Sequence, residues 1–222
     1  MSRTGALPLR LGVLTSGEGS NLQALIDACA NGRIPCTVAV VISNNSDAGA
    51  LARARAHRIP AYHISNRAFP DDADLDREIV RVLRRQRVGL VLLAGYMKRR
   101  GPEFLRAFRY RVLNIHPALL PGPFGGPGMY GLRVHEAVVA AGEKTTGVTV
   151  HLVDEEYDHG PVVARREVPV LPGDTAEVLQ ARVLRTEHEL YPAVVGAVAR
   201  GELDLDAIAA AGDRCQDLRS DV

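Results

Sequence analysis

Val88-Gly89-Leu90-Val91-Leu92-Leu93-Ala94 is the stretch on which the fold turns. Alternate side chains of a strand point to opposite sides, so an unbroken apolar run describes a strand covered on both faces, as in a parallel sheet between helices. Outward from this run, helix and strand periodicities alternate. Before it come a strand over 9–14, a helix over 21–29, a strand over 37–42, a helix over 48–57 ended before Pro60, and a short strand over 61–64. A helix over 74–85 follows, with Leu75, Ile79, Val82 and Leu83 at helical spacing. After the run come a short helix over 103–108 and a strand over 111–116 that Pro117 terminates. A loop, a helix over 132–141 and two strands over 147–153 and 162–170 complete the middle. A long helix over 175–200 follows, with Gly173-Asp174-Thr175 as its start signal. The reading is an α/β, Rossmann-like fold: a mostly parallel twisted sheet flanked by helices, with right-handed crossovers, a closing antiparallel hairpin and a long C-terminal helix. Residues 1–205 form a single domain on this reading. Residues 206–222, small and charged, form a tail that is a loosely packed helix or partly disordered.

Composition bounds the function. With 222 residues, 46% of them hydrophobic, the chain can bury a sizeable core. A net charge of +1 offers no basic face for nucleic acid, and no apolar run is long enough to span a membrane. Residues 1–10 carry two arginines and no cleavage pattern, so they do not read as a secretory signal. Cys29, Cys36 and Cys215 lack disulfide or zinc spacing and read as reduced thiols of a cytoplasmic protein. The partners expected are small molecules, with no nucleic acid and no membrane, and a homodimer stays open as the assembly.

Three segments fall at the carboxyl ends of predicted strands, where ligands bind in such sheets. Asn114-Ile115-His116 ends one strand, so Asn114 and His116 point to the same side. With Asp158 in the later turn 155–160, they supply an amide donor for an oxyanion, an imidazole to handle protons and a carboxylate to charge it. By itself an Asn-x-His pair more often satisfies loop backbone than catalyses. Gly17-Glu18-Gly19-Ser20-Asn21 follows the first strand and opens a helix whose free N–H groups would receive a phosphate. It fits neither the dinucleotide fingerprint, which wants glycine where Leu22 stands, nor a Walker loop. The loop 121–131, with five glycines, reads as a flap over the site. His151, Asp154, Asp158 and His159 are residue types that bind metals, but no two histidines have i, i+4 helical spacing and no metal is expected. His151 reads as a buried, hydrogen-bonded histidine.

Residues 114–121, Asn-Ile-His-Pro-Ala-Leu-Leu-Pro, resemble the signature of the folate-dependent formyltransferases, as do Thr149-Val150-His151-Leu152-Val153 and Asp158-His159-Gly160-Pro161. With the 17–22 loop, the likeness extends in order from about Leu9 to about Leu205. It implies an enzyme that uses 10-formyltetrahydrofolate as co-substrate and formylates the amine of glycinamide ribonucleotide in purine biosynthesis, without metal. It also implies a nucleotide-binding half (1–100) and a folate and catalytic half (101–205). The catalytic residues would be Asn114, His116 and Asp158, with His151 supporting the Asp158 loop and Asp158 raising the His116 pKa. Gly17, Glu18, Gly19, Ser20, Asn21 and Glu187 would surround the substrate phosphate. The folate would meet Leu93, Tyr96, Met97, Lys98 and Asn114 on one side and Glu155, Glu156, Tyr157 and Asp158 on the other. The chain departs from the family pattern at Pro127, where a basic residue is common, and at Lys98, where arginine is usual. It departs again at Asp71-Asp72, where relatives often have arginine, and at Leu184, where a polar phosphate partner is usual. The alternatives are a formyltetrahydrofolate deformylase, whose members carry a further amino-terminal domain and lack the Gly-Ser-Asn loop, and a non-catalytic nucleotide-sensing domain. A methionyl-tRNA formyltransferase would need a basic tRNA-binding domain.

Overall fold

A computed structural model describes residues 7–212. The readings made above for Cys215 and for residues 1–6 and 213–222 lie outside the described residues. Along the chain run β1 (Leu9–Thr15), α1 (Ser20–Ala30), β2 (Cys36–Ser43), α2 (Gly49–Ala56), β3 (Ala61–His63), α3 (Asp72–Arg85) and β4 (Leu90–Leu93). They are followed by α4 (Pro102–Ala107), β5 (Val112–His116), α5 (Leu132–Ala140), β6 (Thr145–Leu152), β7 (Val162–Pro169), α6 (Ala176–Arg200) and α7 (Leu205–Ala211). The strands form one seven-stranded sheet in the order β3-β2-β1-β4-β5-β6-β7. It is parallel from β3 to β5 and antiparallel at β5–β6 and β6–β7.

The strand alternation fills two cores. Leu90 and Leu92 of β4 enter the layer packed by Leu22 and Leu25 of α1 and by Leu179, Val183 and Leu190 of α6. Val91 and Leu93 enter the other, with Leu75, Ile79 and Leu83 of α3 and Phe104. A strand so placed has no polar face, which is why its sequence is a continuous apolar run. Close approach of α3 to β1 needs Gly12, because a Cβ there would stand 2.5 Å from Leu83 Cδ2 and 3.1 Å from Val88 Cγ1.

Most boundaries shift by a residue or two from expectation, and three of the differences are instructive. β4 covers only Leu90–Leu93, although Gly89 and Ala94 still donate to Arg10 and Leu14 of β1 at 2.9 Å each. The helix expected from residue 74 begins at Asp72, because the Asp71 carboxylate accepts the amides of Ala73 and Asp74 and caps it. α7 crosses the boundary expected at residue 205. Asp204 caps it, Leu205 and Ile208 bury against the first core, and Arg111 holds Asp206 through its two terminal guanidinium nitrogens at 2.6 and 3.1 Å. The Thr175 start signal acts as a cap: its hydroxyl accepts the Val178 amide.

One tie crosses the layers. The Tyr191 hydroxyl on α6, fully buried, lies 3.1 Å from the Leu93 carbonyl and 3.0 Å from that of Leu113, so it joins the end of β4 to its neighbour β5 just before Asn114.

Candidate active site

Strand order reverses between β1 and β4, and the carboxyl ends of these strands diverge there into a crevice. A cleft of about 840 Å³ occupies it and reaches past β5 to β6 and α6. The 17–21 loop, Asn114, His116, His151, Asp158 and Glu187 all line it.

The antiparallel register sets Asn114 of β5 directly opposite His151 of β6. Asn114 Nδ2 donates to His151 Nε2 at 3.0 Å and to Asp158 Oδ1 at 3.3 Å. That direction requires His151 to carry its proton on Nδ1, which donates to the Leu152 carbonyl at 2.8 Å. His116 Nε2 donates to the Phe124 carbonyl at 2.8 Å, and its Nδ1 faces Asp158 Oδ2 at 3.4 Å. Asp158 Oδ2 also accepts the Gly126 amide at 2.9 Å. Asp158 occupies the left-handed region at φ 53°, unusual for a residue with a side chain.

Burial dominates the electrostatics. His116 is 4% exposed and its pKa is pushed down by burial, against the opposing pull of the Asp158 charge. Asp158 does raise it, as the sequence reading expects, but desolvation of the imidazolium is the larger effect and sets the net direction. Burial works to raise the Asp158 pKa, yet His151, His116 and the Gly126 amide together hold it below the ordinary value. The pair therefore favours a neutral imidazole beside a carboxylate. His135, 2% exposed and also lining the cleft, is held down to about 4 by burial and by His116.

At the other end of the cleft, α1 starts without a side-chain cap. Gly19 precedes it at φ 75°, and a Cβ there would meet the Cβ of Ala50 at 2.6 Å, whereas Gly17 has open space around it. Loop and helix thus leave first-turn amides free for an anion. Glu18 turns its carboxylate toward Gly49 of α2 and gives its carbonyl to Arg53 at 2.7 Å. Glu187 accepts from Asn21 Nδ2 at 2.7 Å and is pushed up by burial to about 7, so near neutrality it is partly protonated beneath the loop. Leu184 and Pro127 also line the cleft, while Asp71 is engaged in capping α3.

Tyr96, Met97, Lys98, Glu156 and Tyr157 line the remaining wall; Glu155 does not, and its carbonyl instead accepts from Arg99 at 3.3 Å. Leu93 belongs to the wall, but its carbonyl is occupied by Tyr191. Sequence reasoning missed Arg99, whose amide donates to the Tyr157 hydroxyl at 3.1 Å. It also missed Arg100, buried at 3.0 Å from Asp76 and stacked 5.2 Å from the Tyr96 ring centre, and His135. Only the charge of the two arginines and the helical spacing of His135 could have marked them.

The flap residues 126–131 line the cleft. The preceding part of that loop is anchored: Phe124 packs on the first core, and the Leu120 amide donates to Thr149 Oγ1 at 3.0 Å. Among the described residues no group of three or more His, Cys, Asp and Glu is placed to hold a metal ion. Likewise, no described helix is long and apolar enough to cross a membrane.

The sequence profile of the formyl transferase family matches residues 9–195. The chain is 44% identical over 190 residues to the chloroplastic phosphoribosylglycinamide formyltransferase of Arabidopsis thaliana, covering 85% of this chain and 65% of that relative. It therefore spans just under two thirds of the plant protein's length. It is 40% identical over 196 residues to the phosphoribosylglycinamide formyltransferase of Haemophilus influenzae, covering 88% and 90% of the two chains. The crystal structure of glycinamide ribonucleotide transformylase 1 from Symbiobacterium toebii superposes with a TM-score of 0.84 at 43% identity, covering 90% of this chain and 92% of that one.

Proposed function

This chain belongs to the formyl transferase family, and from that premise we propose that it transfers the formyl group of 10-formyltetrahydrofolate to the amine of glycinamide ribonucleotide. The observation that carries the reading is the single cleft in which Asn114, His116 and Asp158 stand together and an uncapped helix start offers an anion site. The nucleotide phosphate meets the 17–21 loop, and the folate ring lies against the wall from Leu93 to Lys98 and the turn with Glu156 and Tyr157.

The neutral amine attacks the formyl carbon, forming one C–N bond, and the carbonyl oxygen gains charge. Asn114 Nδ2 donates to that oxygen, giving up its long contact to Asp158. The attacking nitrogen loses a proton, the C–N bond to the folate breaks, and the departing nitrogen gains one. His116 carries that proton as a base which burial keeps neutral, and Asp158 stabilises the imidazolium while it lasts. Because Nε2 carries its proton to the Phe124 carbonyl, turnover requires that contact to open and the ring to take the tautomer with its proton on Nδ1 toward Asp158, which leaves Nε2 free to accept. No covalent enzyme intermediate is needed.

Assaying release of tetrahydrofolate with and without glycinamide ribonucleotide tests the proposal. Release that depends on the ribonucleotide, with matching formylated product, is expected. Equal release without it would identify a deformylase instead.

A further inference from the structure

The cleft wall that follows β4 is held in two different ways along its length. Its first residues are tied by backbone: the Ser16 amide donates to the Gly95 carbonyl at 3.0 Å, and the Met97 amide donates to Ser16 Oγ at 2.9 Å. Residues 98–100 make no backbone hydrogen bond to the sheet among the described residues. Side chains hold this far end instead. Arg100, 5% exposed, donates through Nη1 to Asp76 Oδ1 of α3 at 3.0 Å, and its guanidinium lies 5.2 Å from the centre of the Tyr96 ring. The same carboxylate abuts the start of α4, where a Cβ on Gly101 would stand 2.6 Å from Asp76 Oδ2. Burial, the largest influence on the Asp76 carboxyl, raises its pKa, while Arg100 and hydrogen bonds from the Gly101 and Phe104 amides lower it. Arg99, next in the chain, reaches the opposite turn through its amide to the Tyr157 hydroxyl and its Nη1 to the Glu155 carbonyl. The far end of the wall therefore also sets the width of the slot between the two.

An apolar pair of the same volume would pack α3 against α4 as well, since two charges lose on leaving water about what they gain from each other. What the ion pair adds is direction, because a planar guanidinium meets a carboxylate and an aromatic face in few orientations. Resting on the folate reading of the cleft, we propose that Asp76 and Arg100 are positioning residues for the co-substrate, fixing the far end of the wall and so the slot in which the folate ring lies. The 17–21 loop is joined, through Ser16, to the backbone-tied part of the wall. The pair thus governs the folate and leaves the ribonucleotide alone.

The test is calorimetric binding of 10-formyltetrahydrofolate and of glycinamide ribonucleotide, each alone, to the full chain as wild type, Arg100→Leu/Asp76→Asn, Arg100→Lys and Arg77→Ala, with the urea midpoint of each. The double variant leaves no charge buried without a partner and keeps an acceptor for the Gly101 and Phe104 amides. Arg100→Lys keeps the charge but not the plane. We expect folate binding to weaken at least about fivefold in the double variant and at least about threefold in Arg100→Lys, with ribonucleotide binding within about twofold of wild type in both. Arg77→Ala breaks the exposed Arg77–Glu103 pair, which joins the same two helices at 3.2 Å, and leaves both affinities within about twofold. Should the double variant fail to fold, Arg100→Lys decides by the same split. Folate affinity within about twofold of wild type in either Arg100 variant that folds, or equal losses for the two substrates, overturns the assignment alone. Failure of the wild type to bind 10-formyltetrahydrofolate overturns the folate reading along with it.

Discussion

His116 and Asp158 are bound to each other's titration, and this makes their roles separable by pH. Burial holds the imidazole pKa down while the Asp158 charge holds it up. Asp158→Asn removes the second influence, so the imidazole becomes still harder to protonate. His116→Ala and Asp158→Asn should each lower kcat by at least about a hundredfold with KM within about tenfold, since both act on charge that develops during transfer. In Asp158→Asn the acidic limb of kcat/KM should also move to lower pH. An unmoved limb would mean that the carboxylate acts only on the loop. That Asn114 and His116 face one side was legible from sequence, because alternation along a strand decides which side chains share a side, whereas Asp158, in a turn, was marked only by its motif. Arg100 was not. Its partner Asp76 lies 24 positions earlier on a helix that reads as amphipathic, and only the packing of α3 against α4 brings them together. Charge pairing across elements has no period to detect. Nor was the sign of the His116 shift legible, since burial of one imidazole depends on the whole cleft.

At the scale of elements, helices and strands were readable because each repeats a period over many residues, whereas their ends depend on single contacts such as the Asp71 cap and the α7 anchorage. The flap is the instructive case. Glycine content alone suggested a loop ordered only by substrate, yet its first half is tied to His116, Asp158 and Thr149. Beyond Gly126, its backbone amides make one hydrogen bond among the described residues, Met129 to the Gly126 carbonyl at 3.1 Å, and Tyr130 is 44% exposed. Hydrogen exchange should therefore divide the segment: the Leu120 and Gly126 amides protected without ligand, and residues 128–131 slowed only on adding glycinamide ribonucleotide. Uniform fast exchange from 120 to 131 would contradict the anchored half, and uniform protection would contradict the mobile one.

Over the whole molecule, two buried groups pull the stability curve in opposite directions. His135 titrates near 4 in the folded chain against 6.5 ordinarily, so its contribution is complete above 6.5 and is lost as pH falls toward 4. His116 and His188, also held down by burial, act in the same sense. Glu187 titrates near 7 against 4.5 ordinarily, so its contribution is complete below 4.5 and is lost as pH rises toward 7. Each of the two large shifts corresponds to about 3 kcal/mol, so between pH 4.5 and 6.5 they offset one another. Glu187→Gln keeps an acceptor for Asn21 but no longer titrates. Its urea midpoint should fall with acid much more steeply than that of the wild type across this range; parallel curves would show that the carboxyl is not buried in its protonated form. The hydroxyl of Tyr191 has a consequence of another kind. One proton is shared between the carbonyl that ends β4 and that of Leu113 in β5, and these lead directly into the wall from Leu93 to Lys98 and the pair Asn114–His116. Tyr191 is absent from the cleft lining, yet it gauges the span between the two halves of the reaction. The distance from donor to acceptor is thereby written into the back of the molecule, where no substrate reaches, and a slight turn of α6 would retune it.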